Sequence, residues 1–403
     1  MKLIIFYLLL LTPSAFYAQD VQKIYIDPSK AYGGNVSDYF ASVEYIPLET
    51  TKESLFGDVQ DLLITDNSFV IIDNDTRFVL FFSIDGTFVK KVKISPFASH
   101  SLFLRDNSVY ITYFDNQTKT IGVDQYSSTG ELLDKNNTSA KEFYTTIPLD
   151  NDYKIVVSNC RTMPSRAPKD SSINLVSIFK NNQLIKSFVP YNPLKDFGFC
   201  ELSGRVDISR QQNKSDFYIT TPFDHYVYKA NKDTAIKSFQ FVFPANRILN
   251  KEILFSRNKK LLDSLQYNLM RNTNIIHSVS NIIFNKDLLF FKINGVPTFA
   301  RNISENLYQY NFIFNMVTQK LASFERMNSD TLSHYLPFID IYSVVKGLDY
   351  YENAFYCPVS SLQMFTAKEA TKSKNPQYPQ VLQQYFKTQN RKSNPVIVKL
   401  KLK

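Results

Sequence analysis

The chain carries four histidines, His100, His225, His277 and His334, far apart in sequence. None falls in an H-E-x-x-H pair, and the sequence has no G-x-S-x-G, P-loop or C-x-x-C signature. Chemistry would therefore need side chains gathered from distant segments. Six positions acquire a common place when the internal repeats are aligned on their first turns. Gln60, His100 and Tyr144 come from the first three repeats, and Arg205, His277 and Tyr342 from the next three. A ring of such polar and aromatic groups suits a sugar or a peptide, held by stacking and hydrogen bonds. His100 and His277 with a third donor would suit a divalent metal, since neutral imidazole favours zinc or a softer ion. Arg205 and Tyr144 beside that metal could polarise and deprotonate a substrate. Polar, water-filled channels without a specific ligand are the plainer alternative. The loop from Cys160 to Lys169 adds Arg161, Arg166 and Lys169 on a basic, twice proline-interrupted segment that is expected to project, over the channel or towards a partner.

The elements that must position these residues are read from a repeat. Residues 59–94, VQDLLITDNSFVIIDNDTRFVLFFSIDGTFVKKVKI, and 99–135, SHSLFLRDNSVYITYFDNQTKTIGVDQYSSTGELLDK, each give strand, Asp-Asn-Ser turn, strand, polar turn, strand, Gly-centred turn and strand. That is one blade of a β-propeller, and the pattern recurs more loosely to about residue 368. The expected fold is all-β: a six-bladed β-propeller in one domain over 19–403, with the first strand of each blade lining a central channel. The opening runs VQKIYI and SVEYIPL and the closing NPVIVKLKLK read as strands. Strands from both termini are expected to share the last blade and close the ring, with the alternating lysines facing solvent on an outer edge. Segments 247–271 and 376–390 keep helical spacing and read as insertions; in the second, Val381, Leu382, Tyr385 and Phe386 fall on one face. The sixth blade is expected over about Leu332–Lys368.

Composition fits this reading. Aromatics make up 15% of the chain, with 34 Phe and 25 Tyr, which favours strands. The +9 charge is spread rather than massed in a basic tract, so nucleic acid is not an expected partner. Lys2 and the apolar run Leu3–Leu11 before Ala15 and Ala18 read as a signal peptide over 1–18, cleaved after Ala18, with Ala15 as the alternative. The product is expected in the periplasm or outside the cell, without a transmembrane segment or a lipoprotein cysteine, and as a monomer. Of three cysteines, Cys160 and Cys200 could pair in an oxidising compartment, while Cys357 reads as a buried thiol.

The segments SVEYIPLETTKESLFGDVQDLLITDNSFVIIDN, FFSIDGTFVKKV and NPVIVKLKL resemble those of the six-bladed β-propeller proteins of Bacteroidetes, related in shape to NHL-repeat propellers. The resemblance implies an exported envelope protein and supplies no catalytic motif. The resulting expectation is a non-catalytic binding or interaction module for a glycan, peptide or envelope protein, with no cofactor. Two alternatives stay open: a metal-dependent propeller lyase or hydrolase with its site in the channel, and a structural scaffold with an inert channel.

Overall fold

A computed structural model describes residues 21–403 apart from 95–97, 106, 116, 118–119, 140–143, 150–151, 159–172, 182, 192–205, 211–215, 251, 253–255, 257, 259, 265–274, 296–309, 341 and 344–345. The chain opens with β1 (Gln22–Tyr25), β2 (Tyr32–Asn35) and β3 (Phe40–Pro47). Blade 1 is β4 (Asp61–Ile64), β5 (Ser68–Asp73), β6 (Phe78–Ser83) and β7 (Phe88–Lys93). Blade 2 is β8 (Ala98–Arg105), β9 (Ser108–Asp115), β10 (Thr120–Tyr126) and β11 (Leu132–Ser139). Blade 3 is β12 (Tyr144–Pro148), β13 (Tyr153–Ser158), β14 (Ile173–Lys180) and β15 (Gln183–Tyr191). Blade 4 holds β16 (Asp207–Arg210), β17 (Phe217–Thr220), β18 (Tyr226–Ala230) and β19 (Ala235–Val242). Blade 5 holds β20 (Ile276–Asn285), β21 (Leu288–Gly295), β22 (Asn311–Asn315) and β23 (Leu321–Asn328). Blade 6 combines β24 (Asp349–Tyr351), β25 (Ala354–Val359) and the C-terminal β26 (Val396–Leu402) with β3. The six small sheets stand in a ring, a six-bladed β-propeller. Innermost strands touch their neighbours, β4 against β8 and β24, β8 against β12, and β16 against β20.

The two clearest repeats fold alike because their turns use the same chemistry. Ser83-Ile84-Asp85-Gly86 and Ser127-Ser128-Thr129-Gly130 both close with the Gly N–H donating to the Ser carbonyl, at 2.9 and 3.0 Å. Gly86 and Gly130 have φ of 90° and 84°, a conformation glycine adopts freely. At Gly86 a Cβ would also stand 2.3 Å from the Pro47 carbonyl oxygen, so the turn of blade 1 fits against β3 only without a side chain. The apolar residues between these turns meet those of the next blade. One cluster joins blades 1 and 2 through Val70, Phe81 and Ile111, and another joins blades 4 and 5 through Phe241, Phe291 and Phe312.

Closure follows the expected principle with a different layout. β26 pairs antiparallel with β25 on one side and with β3 on the other, so both termini do share blade 6. The strand is therefore not an outer edge. Lys399 faces Glu44 of β3 across the ladder, 3.5 Å from its carboxylate, and β3 takes the rim position. The run VQKIYI does not join blade 6. As β1 it lies parallel to β19, with Gln22 beside Phe239, and makes a fifth strand on blade 4. β2 does the same on blade 5, parallel to β23. Residues 22–47 thus form a belt around the rim of blades 4, 5 and 6 in turn.

The sixth blade also ends sooner than expected. Residues Ser361–Ala370 are a helix, capped by Ser360, whose hydroxyl oxygen accepts the Gln363 N–H at 3.4 Å. A second helix, Gln380–Thr388, follows within the expected 376–390 insertion. Leu382 and Tyr385 are buried and Phe386 packs against the same core, but Val381 points outward, 49% exposed. Of 247–271, the described residues include a helical turn at 260–264 that buries Leu262. Among the described residues no helix is long and apolar enough to cross a membrane.

Candidate functional site

The innermost strands all begin at one end of the ring, and the sequence-derived ring is tested there. Gln60 directly precedes β4 and extends its ladder, its N–H donating to the Ile72 carbonyl at 2.8 Å. His100 lies in β8 opposite Tyr113 of β9, the two rings 5.9 Å apart. Gly122 stands next in the same row on β10, where a Cβ would fall 2.0 Å from Tyr113 Cζ, so the missing side chain gives the tyrosine ring its bed. Tyr144 opens β12. His277 is second in β20, and its imidazole meets Phe223 of the β17–β18 turn edge-on, with centroids 4.9 Å apart. The Phe223 N–H donates to the His277 carbonyl at 2.7 Å, fixing the seam between blades 4 and 5. Burial pushes the His277 imidazole down to about 4, so it is neutral at ordinary pH.

Tyr342 is placed otherwise. It sits in a short turn before β24 rather than on it, buried, and its hydroxyl donates to Asp349 Oδ2 at 2.8 Å. Arg205 and the loop residues Arg161, Arg166 and Lys169 lie outside the described residues, as do Cys160, Cys200 and the 1–18 segment. His100 and His277 stand on blades 2 and 5, across the ring from one another. Among the described residues no three His, Cys, Asp or Glu side chains are grouped so as to hold a metal ion.

What gathers at this end instead is charge. Asp61 and Asp349 are the first residues of β4 and β24, half-buried on adjacent blades. Burial, and then the Asp61 charge, push the Asp349 carboxyl up to about 8, against the Tyr342 hydroxyl bond and the Lys346 ammonium. Asp61 is raised too, by burial, while Lys346 and the Leu102 N–H, 3.2 Å from its Oδ2, oppose the shift. Two carboxyls that repel one another in a poorly hydrated site cannot easily both ionise, so one of them tends to hold a proton at neutral pH.

A second charged group adjoins it from blades 4 and 5. Lys292 of β21 is 1% exposed and donates to Asn294 Oδ1, and burial pushes its ammonium down to about 8 despite Glu325 and Asp207. Glu325 is satisfied by Asn311, whose N–H and side-chain amide reach it at 3.0 and 2.8 Å, and by the Ser323 hydroxyl at 3.0 Å. Sequence reasoning missed these residues. A signal was present: the innermost strands DLLI, DISR and DYY all begin with Asp, at 61, 207 and 349.

A family model described as a domain of unknown function, DUF4934, matches residues 23–401. The chain belongs to the DUF4934 family. No curated protein matches this DUF4934 sequence. Among solved structures, the DUF4934 chain is similar to a candidate exported protein of Bacteroides fragilis NCTC 9343, with a TM-score of 0.61 at 15% identity, over 95% of this chain and 100% of that one. A DUF4221 family member from Bacteroides vulgatus gives 0.40 at 9% identity over 89% and 98% of the two chains. A protein of unknown function from Bacteroides caccae gives 0.38 at 10% identity over 73% and 94%. At 15% identity the likeness to the B. fragilis protein extends to the fold and no further.

Proposed function

We propose that the protein is an exported, non-catalytic binding module that takes a glycan, a peptide or an envelope protein at the channel end where the innermost strands begin. The observation that carries this is the Asp61–Asp349 pair. Two half-buried carboxyls on adjacent blades, both raised by burial, stand together at this end, and a ligand rich in hydroxyl or ammonium donors would suit them. Gln60, His100 and His277 stand as flanking contacts in this reading, with Tyr342 holding Asp349 in place. Export rests on the leader-like residues 1–18 and is in keeping with the description of the B. fragilis protein. The shape relation to NHL-repeat propellers belongs to the same reading.

The test is a binding screen of purified residues 19–403 against glycan and peptide arrays, alongside Asp61→Asn/Asp349→Asn. Ligands bound by the wild type and lost in the double variant are the expected result. Hits indifferent to the double variant would remove the channel from the account. Elemental analysis of the same protein and of His100→Ala/His277→Ala checks the catalytic alternative. A stoichiometric metal that disappears in the variant would put a metal-dependent lyase or hydrolase in place of the binding module.

A further inference from the structure

A cleft of about 500 Å³ lies on the rim of blade 5, at the face opposite the charged channel end. Its walls include Leu288 at the start of β21 and Asn315 at the end of β22, whereas β20 begins beside Gly295, at the other end of the sheet. Two tyrosines line it. Tyr32 of β2 is 63% exposed, and Tyr39 is half-buried with its hydroxyl donating to the Gly33 carbonyl at 3.0 Å. The belt sequence leaves room beside Tyr39. At Gly34, φ is 119°, and a Cβ there would stand 2.8 Å from Asp38 Oδ2 and 3.5 Å from the Tyr39 ring. A side chain there would crowd the Asp38 carboxylate and the Tyr39 ring.

The polar lining is divided between acceptors and donors. Asp38 lines the cleft, and its Oδ2 accepts the Asn35 N–H at 2.7 Å, which fixes the carboxylate. On the facing wall, Asn315 Oδ1 is taken by the N–H groups of Val317 and Thr318, at 3.0 and 2.8 Å, so the side-chain amide offers its N–H donors. Thr318 and Lys320 stand exposed beside it. An open aromatic face, a fixed carboxylate and a set of donors in a space of this size match a sugar ring. Its C–H face lies on an aromatic ring while its hydroxyls both donate and accept.

We propose that this rim cleft binds carbohydrate, with a sugar ring stacked on Tyr32 and its hydroxyls shared between Asp38 and the Asn315–Lys320 wall. The site is separate from the channel end and does not depend on it. The chain contains no tryptophan, so Tyr32→Trp places a single indole reporter in the cleft. The experiment is a glycan array of neutral and uronate-containing oligosaccharides probed with wild type, Tyr32→Ala, Asp38→Asn and Asp349→Asn, each checked for folding by circular dichroism. Each hit is then titrated into Tyr32→Trp with indole emission as the readout. Expected are hits weakened at least tenfold by Tyr32→Ala and by Asp38→Asn, unchanged in Asp349→Asn, and shifting the indole emission. An array blank for the wild type overturns the proposal, as does a set of hits none of which is weakened by Tyr32→Ala. Hits lost only in Asp349→Asn would put the sugar in the channel, overturning the rim site while leaving the channel reading intact.

Discussion

Asn394 is where the two ends of the chain are tied, and removing its amide has a calculable cost. The residue is 1% exposed. Its Nδ2 donates to the Glu49 carbonyl at 2.7 Å and to the Ser54 carbonyl at 2.9 Å, and its Oδ1 accepts the Phe56 N–H at 3.2 Å. All three partners are backbone groups of the loop between β3 and β4, so one side chain near the C-terminus closes a loop near the N-terminus. Asn394→Ala removes the three bonds at once. At a net ~1 kcal/mol per bond the loss is about 3 kcal/mol, rising towards ~5 if the Phe56 N–H and the carbonyls find no water. The backbone bond from Asn394 N–H to Thr50 Oγ1, 3.0 Å, is untouched and keeps the strand in register. Urea unfolding followed by circular dichroism and tyrosine fluorescence is the assay. With an m-value of roughly 3 kcal/mol/M, the midpoint should fall by about 1 M with m unchanged. Asn394→Asp should cost at least as much, since it turns both donors into an acceptor facing two carbonyls. A loss below about 0.5 kcal/mol for the alanine variant, the scale of an ordinary surface change, would refute the argument that this amide fastens the ends.

The Asp349 carboxyl, raised to about 8 in the fold, contributes stability that is complete below its unfolded value and is lost as pH climbs through 8. Thermal midpoints measured from pH 5 to 9 should therefore decline less steeply in Asp349→Asn than in the wild type; parallel curves would show that this group does not govern the slope. Gly347 has φ of 101°, and a Cβ there would meet Asn281 Nδ2 at 1.7 Å, so Gly347→Ala should destabilise by more than about 1 kcal/mol in the same urea assay. Cys357 is fully buried and burial pushes its thiol up, so in a Cys160→Ser/Cys200→Ser background a thiol reagent should label it only at the rate of unfolding.

The parts of this fold visible in the sequence are those fixed by local chemistry. The Ser-x-x-Gly turns and the alternation between them reveal blades 1 and 2, and the alternating tail reveals a terminal strand. What stayed hidden depends on partners remote in sequence. Nothing in VQKIYI says that it lies parallel to β19 rather than in blade 6, because a parallel pairing has no turn to announce it. The helix Ser361–Ala370 follows directly on the strand AFYCPV and is only weakly amphipathic, so its period is hard to see, and its capping serine was the better sign. At the channel, the residues aligned on turns, Gln60, His100 and His277, lie at or near the starts of β4, β8 and β20. The alignment did not single out Asp61 and Asp349, whose mutual influence comes from their being neighbours in space across the seam of blades 6 and 1. Tyr342 was misplaced because the turn before β24 breaks the repeat spacing, yet its hydroxyl still reaches that seam through Asp349.

The belt of residues 22–47 has a bearing on how the molecule comes to exist. A ribosome makes β1, β2 and β3 first, but their docking edges are β19, β23 and β26, the last of which is made at the very end. β1 therefore waits, unpaired, until blade 4 is made, β2 until blade 5, and β3 until the last strand of the chain. Pairings of such long sequence separation make for slow folding, and an unpaired strand is open to the wrong partner in the meantime. The composition of the belt suits that interval. Gln22, Lys23 and the Gly33-Gly34 pair make short, interrupted strands that cannot easily join another chain. The last pairing to become possible joins β3, among the first strands made, to β26, the final one.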